Sequence, residues 1–219
     1  NGNADSSFGN NGFVDLHKGL GNNSSSLFVT MTSPGVIYKD LIIVGSSVSE
    51  GNPAAKGNIR AFDANTGDLK WTFNTIPEIG EDGYESYEDP DAYKRLGGAN
   101  AWAGLTLDGK RGILYAPTGS VSYDFYGGDR VGDNLFANSI IALNAANGKK
   151  IWHFQTVHHD VWDRDLPTPP VLFDYSINDS VIPSLAQVTK SGYIYLLNRI
   201  TGKPIYRIIE RDVPSKSNL

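Results

Sequence analysis

The sequence predicts an all-β protein, and three observations carry that prediction: apolar residues come in short runs, glycine and asparagine are plentiful, and one turn-centred pattern recurs along the chain. The runs, such as Leu41 to Val44, have the length of strands rather than helices. With 219 residues, 40% hydrophobic and 20% charged, the chain can bury a substantial core, and this composition excludes a disordered one.

The recurring pattern has an Ala or Leu, an apolar residue, an Asp or Asn, a Thr or Asn before a Gly, and an aromatic four residues after that Gly. Its copies run from Ala61 to Trp71, from Ala142 to Trp152 and from Leu196 to Tyr206. Each reads as a strand, a turn that needs a positive φ at its Gly, and a second strand whose aromatic can dock on the neighbouring unit. A further strand or strand pair precedes two of the copies, in Gly112 to Gly119 and in Ala186 to Leu197. Four strands per repeat make the blade of a β-propeller.

The pattern's glycines are Gly67, Gly148 and Gly202, at intervals of 81 and 54 residues. Blades of roughly 40 to 50 residues are usual, so the longer interval holds an insertion. The acidic, turn-rich stretch from Asn74 to Asn100 is its expected place, as a solvated loop rather than part of a functional site. A ring needs about four to eight blades, and three repeats with partial ends cannot close one. The whole of 1–219 is therefore read as a single partial propeller domain.

The net charge of −5 is spread without basic clusters, which removes nucleic acid from the expected partners. No apolar stretch approaches the roughly 18 residues of a membrane span, and no leader pattern opens the chain, so any export signal or anchor is expected outside it. Cysteine is absent, which excludes disulfides, thiolate metal sites and Cys nucleophiles.

Five segments carry chemistry: Gly45 to Glu50 (GSSVSE), Ala99 to Gly104 (ANAWAG), Pro117 to Arg130 (PTGSVSYDFYGGDR), Gln155 to Pro167 (QTVHHDVWDRDLP) and Ala186 to Gly192 (AQVTKSG). In this order and at these intervals they resemble consecutive active-site segments of the dehydrogenases that use pyrroloquinoline quinone (PQQ), in their membrane-type glucose dehydrogenase branch. The resemblance runs from about Gly12 to Pro214. It implies about half of an eight-bladed propeller, a cofactor set of PQQ with Ca2+ or Mg2+, a sugar or alcohol substrate, and a quinone or cytochrome as electron acceptor. It also implies a periplasmic location, with membrane attachment through segments outside this chain.

The same resemblance assigns roles. Asp163, the Asp of the Trp-Asp pair, corresponds to the general base, and an ionised carboxylate can accept a hydroxyl proton. Trp102 resembles the indole that forms the floor beneath the PQQ ring, where a flat π face gives stacking area. Lys190 matches a lysine that contacts the quinone oxygens, where a cation stabilises charge that develops on reduction. Thr32 and Ser47 align with hydroxyls that hydrogen-bond the PQQ carboxylates. Glu50 matches the metal-binding carboxylate of the related methanol dehydrogenases.

One departure stands out. Those relatives have Asn after the Thr-Gly pair, and Ser120 replaces it, so the second metal ligand can be Ser120, Ser122 or neither. His158 and His159 are expected on opposite faces of an extended segment, which does not suit one shared ion. Trp71 and Trp152 end docking repeats and are expected to be structural, and Trp162 to pack beside the base. The substrate expected first is an aldose such as glucose, oxidised to its lactone. The alternatives are another alcohol or polyol, or a propeller that only binds proteins.

Overall fold

The computed structural model describes residues 3–21 and 24–213 and is built almost wholly of antiparallel strands. Pro214, the far end of the resemblance, lies outside the described residues. A 3-10 turn at Ser24–Ser26 precedes β1 (Val29–Thr30), β2 (Val36–Tyr38), β3 (Leu41–Val44), β4 (Ser47–Val48), β5 (Ile59–Asp63) and β6 (Leu69–Phe73). A 3-10 turn at Tyr84–Ser86 and the four-residue helix α1 (Ala92–Arg95) follow. Then come β7 (Thr106–Asp108), β8 (Ile113–Pro117), β9 (Ser139–Asn144), β10 (Lys150–Gln155), β11 (Val171–Ile177), β12 (Ser180–Val188) and β13 (Ile194–Asn198). They form four sheets: the pair β1-β4, the four-stranded β2-β3-β5-β6 and β7-β8-β9-β10, and the three-stranded β11-β12-β13.

The three repeats fold alike. In each turn the Gly has a positive φ, 76° at Gly67, 70° at Gly148 and 72° at Gly202, and its N–H donates to the carbonyl four residues back at 2.8 Å. The Asp or Asn of the pattern holds the turn from inside, as Asp63 Oδ1 accepts from the N–H groups of Asn65 and Thr66, and Asn198 Oδ1 from those of Ile200 and Thr201. In the first two copies the ladder skips the residue before the tryptophan, Lys70 or Ile151, which is a β-bulge. In the third copy the strand after the turn only begins, with the Ile205 N–H on the Leu196 carbonyl.

The tryptophans then join the sheets. The indole of Trp71 covers Gly148, where an added Cβ would come within 2.5 Å of the ring, and its Nε1 donates to the Ala145 carbonyl at 3.3 Å. Trp152 covers Gly202 in the same way and donates to the Arg199 carbonyl at 3.1 Å. Only a residue without a side chain can sit beneath each indole.

Two cores result. Ile43, Ile59, Ala61 and Trp71 pack on Leu114, Ala116, Ile141 and Leu143, while Tyr115, Ile140, Ala142 and Trp152 pack on Leu166, Leu185 and Leu197. Successive residues of β8 and β9 thus serve opposite cores, so the middle sheet is buried on both faces and reads as continuous apolar runs.

The 81-residue interval holds two excursions rather than one: 74–105 between the two four-stranded sheets, and 118–138 inside the second, between β8 and β9. They share a small core of Ile76, Tyr87, Ala92, Leu96 and Ala99 with Val121 and Ala137. The stretch from Asn74 to Asn100 is acidic outside and apolar inside, so it is a packed excursion and not a solvated loop. Among the described residues no helix is long and apolar enough to cross a membrane.

Candidate active site

A cleft of about 180 Å³ opens where the loops of three sheets meet, lined by Ser47, Ser49, Glu50, Asn100, Trp102, Ser120, Ser122, Asp124, Asp165 and Lys190 among others. Five of the seven residues singled out from the sequence line it: Ser47, Glu50, Trp102, Ser120 and Lys190.

The sixth, Asp163, stands at its edge. Lys190 Nζ donates to Asp163 Oδ1 at 2.6 Å and lies 5.7 Å from the centre of the Trp102 ring. Lys190 occupies the turn that follows β12, as its Ser-Gly sequel suggested. Burial lowers its pKa, but the hydrogen bond to Asp163 and the charge of Asp165 outweigh burial, and the ammonium titrates above its ordinary value. Asp163 itself sits at φ 54°, a conformation that costs a non-glycine residue energy and turns its carboxylate toward the lysine.

The seventh, Thr32, is not in the cleft. Its Oγ1 and the Oγ of Ser33 both donate to the Trp102 carbonyl at 2.9 Å, so the hydroxyls brace the tryptophan from behind. From the front, Trp102 Nε1 donates to Asp165 Oδ2 at 2.7 Å. The indole is therefore fixed at both its backbone and its ring edge.

Asp160 and Asp165, on either side of Asp163, are both buried. Asp165 accepts from Trp102 and from the Ser120 N–H at 2.7 Å, with Lys190 Nζ 3.9 Å away. Burial raises its pKa, against the pull of Lys190 and these two donors. A Cβ on Gly119 would meet this carboxylate at 2.5 Å, which explains the glycine in the Thr-Gly pair. Asp160 accepts from Ser120 Oγ at 2.8 Å, Asn138 Nδ2 at 3.1 Å and the N–H of Trp162 at 3.0 Å, and also from the Arg164 N–H. It ties the Asp163 loop to the 118–138 excursion. Buried Arg130 adds a second tie, from Asn134 Oδ1 at 2.7 Å to the Tyr123 and Asp160 carbonyls.

Both serines offered as metal ligands have other engagements. Ser120 Oγ donates to Asp160 and accepts from Asn138 Nδ2 at 3.1 Å, while Ser122 Oγ donates to the Ser49 carbonyl at 2.8 Å. The histidines diverge: His158 Nε2 meets Glu210 Oε1 at 2.7 Å, and His159, at φ 47°, places Nδ1 2.9 Å from the Gly132 carbonyl. Their segment is a loop rather than a strand. Trp162 does not pack beside Asp163, since it is 71% exposed.

A family profile described as the glucose/ethanol/alcohol dehydrogenase β-propeller domain, PQQ type, matches residues 1–218. The chain is 39% identical to the quinate/shikimate dehydrogenase (quinone) of Acinetobacter baylyi over 94% of its own length and 26% of the relative's. With the quinoprotein glucose dehydrogenase of Escherichia coli it shares 34% identity over 98% of its own length and 27% of the relative's. The quinohemoprotein alcohol dehydrogenase of Comamonas testosteroni superposes with a TM-score of 0.73 at 29% identity, covering 84% of this chain and 29% of that one. The chain thus spans about a quarter of the length of the relatives it matches.

Proposed function

This chain belongs to the β-propeller family of the PQQ-dependent glucose, ethanol and alcohol dehydrogenases, and from that premise we propose that the parent protein oxidises a hydroxyl-bearing carbon of a sugar or polyol in this cleft. The observation that carries the proposal is the Asp163–Lys190 pair, whose ammonium stands over the Trp102 ring.

The residues present suit the cofactor. Trp102 offers a flat apolar face held rigidly from two sides, Lys190 a cation above it, and Ser47, Ser49 and Asn100 short polar groups along the wall. They suit a divalent cation equally well, because Glu50, Asp124 and Asp165 crowd negative charge into a cleft that must accept an anionic quinone. Bound there, PQQ would supply the two-electron acceptor for hydride and the metal a Lewis acid.

What the chain's own side chains do follows from their placement. Asp163 accepts the proton of the substrate hydroxyl at its carboxylate as the carbon gives up hydride, leaving a carbonyl product. Lys190 holds that carboxylate in place by donating to Oδ1 and brings a positive charge to the mouth of the cleft. Trp102 keeps water from one side of the reacting pair. Glu50 would hold the metal, and Ser47 a carboxylate of the cofactor.

An aldose such as glucose remains the first substrate we propose, with quinate or another cyclic polyol second, favoured by the 39% identity to a quinate/shikimate dehydrogenase. We place the parent protein at the periplasmic face of the membrane, with a quinone or a cytochrome taking the electrons. The test is a dye-linked assay of the full-length protein, reconstituted with PQQ and Ca2+, against glucose, quinate and glycerol. Turnover of none of the three would refute the proposal.

A further inference from the structure

Asp165 and Asp124 are the two buried carboxylates that line the cleft, and among the described residues Asp165 is hydrogen-bonded while Asp124 is without a partner. It is 6% exposed and lines the cleft, yet among the described residues no hydrogen-bond donor or cation reaches its oxygens. Arg130, whose charge it feels, spends both terminal nitrogens on Asn134, Tyr123 and Asp160. Of the other charges near it, Asp165, Glu50 and Asp163 repel it, and Lys190, whose ammonium is spent on Asp163, attracts it without reaching it. Burial, and after it these three carboxylates, push its pKa up to about 7. A carboxylate buried among like charges is costly to keep ionised unless a cation compensates it, and without one it takes up a proton instead.

The neighbouring hydroxyls do not supply that compensation, since the Oγ atoms of Ser120 and Ser122 point their protons at Asp160 and at the Ser49 carbonyl. We infer that Asp124 is a ligand of a divalent cation shared with Glu50, and that it supplies the protein oxygen expected from the position of Ser120. This rests on the cleft being the cofactor site proposed above.

The chemistry is consistent with a hard cation, which takes six to eight oxygens when it is Ca2+. Among the described residues no three acidic or histidine side chains converge into a complete site. Two carboxylates therefore leave room for oxygens from the cofactor, from backbone carbonyls and from water. The doubled negative charge sets this site apart from one that pairs a carboxylate with a neutral amide, and it favours a higher affinity for divalent ions.

The experiment uses the full-length protein stripped of metal and cofactor, as wild type, D124N, D124E and D124S. Calcium is titrated calorimetrically with and without PQQ, and melting temperatures are recorded before and after calcium addition. We expect D124N and D124S to bind Ca2+ at least tenfold more weakly, while their metal-free forms melt higher than metal-free wild type, and D124E to recover part of the affinity. A residue with a merely structural role would lower both melting temperatures and leave calcium affinity unchanged, and that result overturns the inference. If D124N does not fold, D124S carries the same comparison. Wild type that binds PQQ and calcium beside a D124N that matches it refutes the inference alone. Wild type that binds no PQQ refutes the underlying proposal and the inference together.

Discussion

Trp102 and Asp165 are joined by a 2.7 Å hydrogen bond from indole nitrogen to carboxylate, and through it the floor of the cleft is tied to the loop that carries Asp163. Moving either element moves the other.

Removal of that tie should therefore be felt at the cofactor before it is felt in the fold. D165N keeps the shape but offers only one oxygen to Trp102, Ser120 and Lys190, and we expect PQQ affinity to fall by about tenfold, roughly one hydrogen bond's worth. Quenching of Trp fluorescence on PQQ titration reads it out.

Replacing the base tests the chemistry directly. General-base catalysis is typically worth 10² to 10⁴ in rate, so D163N should lose about a thousandfold in dye-linked turnover while the absorbance of bound PQQ persists. Normal turnover in this variant would rule Asp163 out.

Lys190 supports both neighbours, so K190A should weaken cofactor binding and lower turnover together, with K190R recovering part of the binding because a cation remains. A K190A protein with wild-type kcat and PQQ affinity would contradict the role given to the lysine.

The docking turns make a stability prediction. G148A and G202A each place a Cβ in contact with an indole at a backbone angle that disfavours side chains, and the cost should be about 2 to 5 kcal/mol. W71A should cost about 3 to 5 kcal/mol by leaving a cavity over Gly148. Urea unfolding of the full-length protein measures both.

Asp124 gives a pH dependence whose sign is fixed. Its pKa in the fold, about 7, stands above the unfolded value of 3.8, so between those values the folded state holds a proton that the unfolded state has lost. Stability from this group falls as pH rises through that window and stays low above it. The melting temperature of metal-free D124N minus that of metal-free wild type should accordingly grow from pH 4 to pH 7 and then level off. A difference that is flat across this range would show that the carboxylate is not buried as described.

The repeat was legible because its information is local: the Asp or Asn, the Gly and the aromatic of each copy act within eleven residues, and Gly67, Gly148 and Gly202 fold nearly identically. Glu50, Trp102 and Lys190 were legible through the short motifs around them. Asp160, Asp165 and Asp124 were not, since what separates a buried carboxylate from a solvated one is a partner, or the lack of one, contributed from elsewhere in the chain. Ser120 reaches Asp160 across 40 residues and Trp102 reaches Asp165 across 63. The contact of Thr32 was out of reach for the same reason, because its partner is the backbone of Trp102 70 residues on. The 118–138 excursion escaped notice since it interrupts a sheet whose strands β8 and β9 still pair directly.

The forward reach of each tryptophan has a consequence for biosynthesis. Trp71 and Trp152, now 9% and 8% exposed, find their cover only on a turn that lies more than forty residues downstream. On the ribosome each sheet must therefore wait, with its indole wet, until its successor has emerged. The propeller is laid down in sequence, and each newly finished sheet is locked by the next.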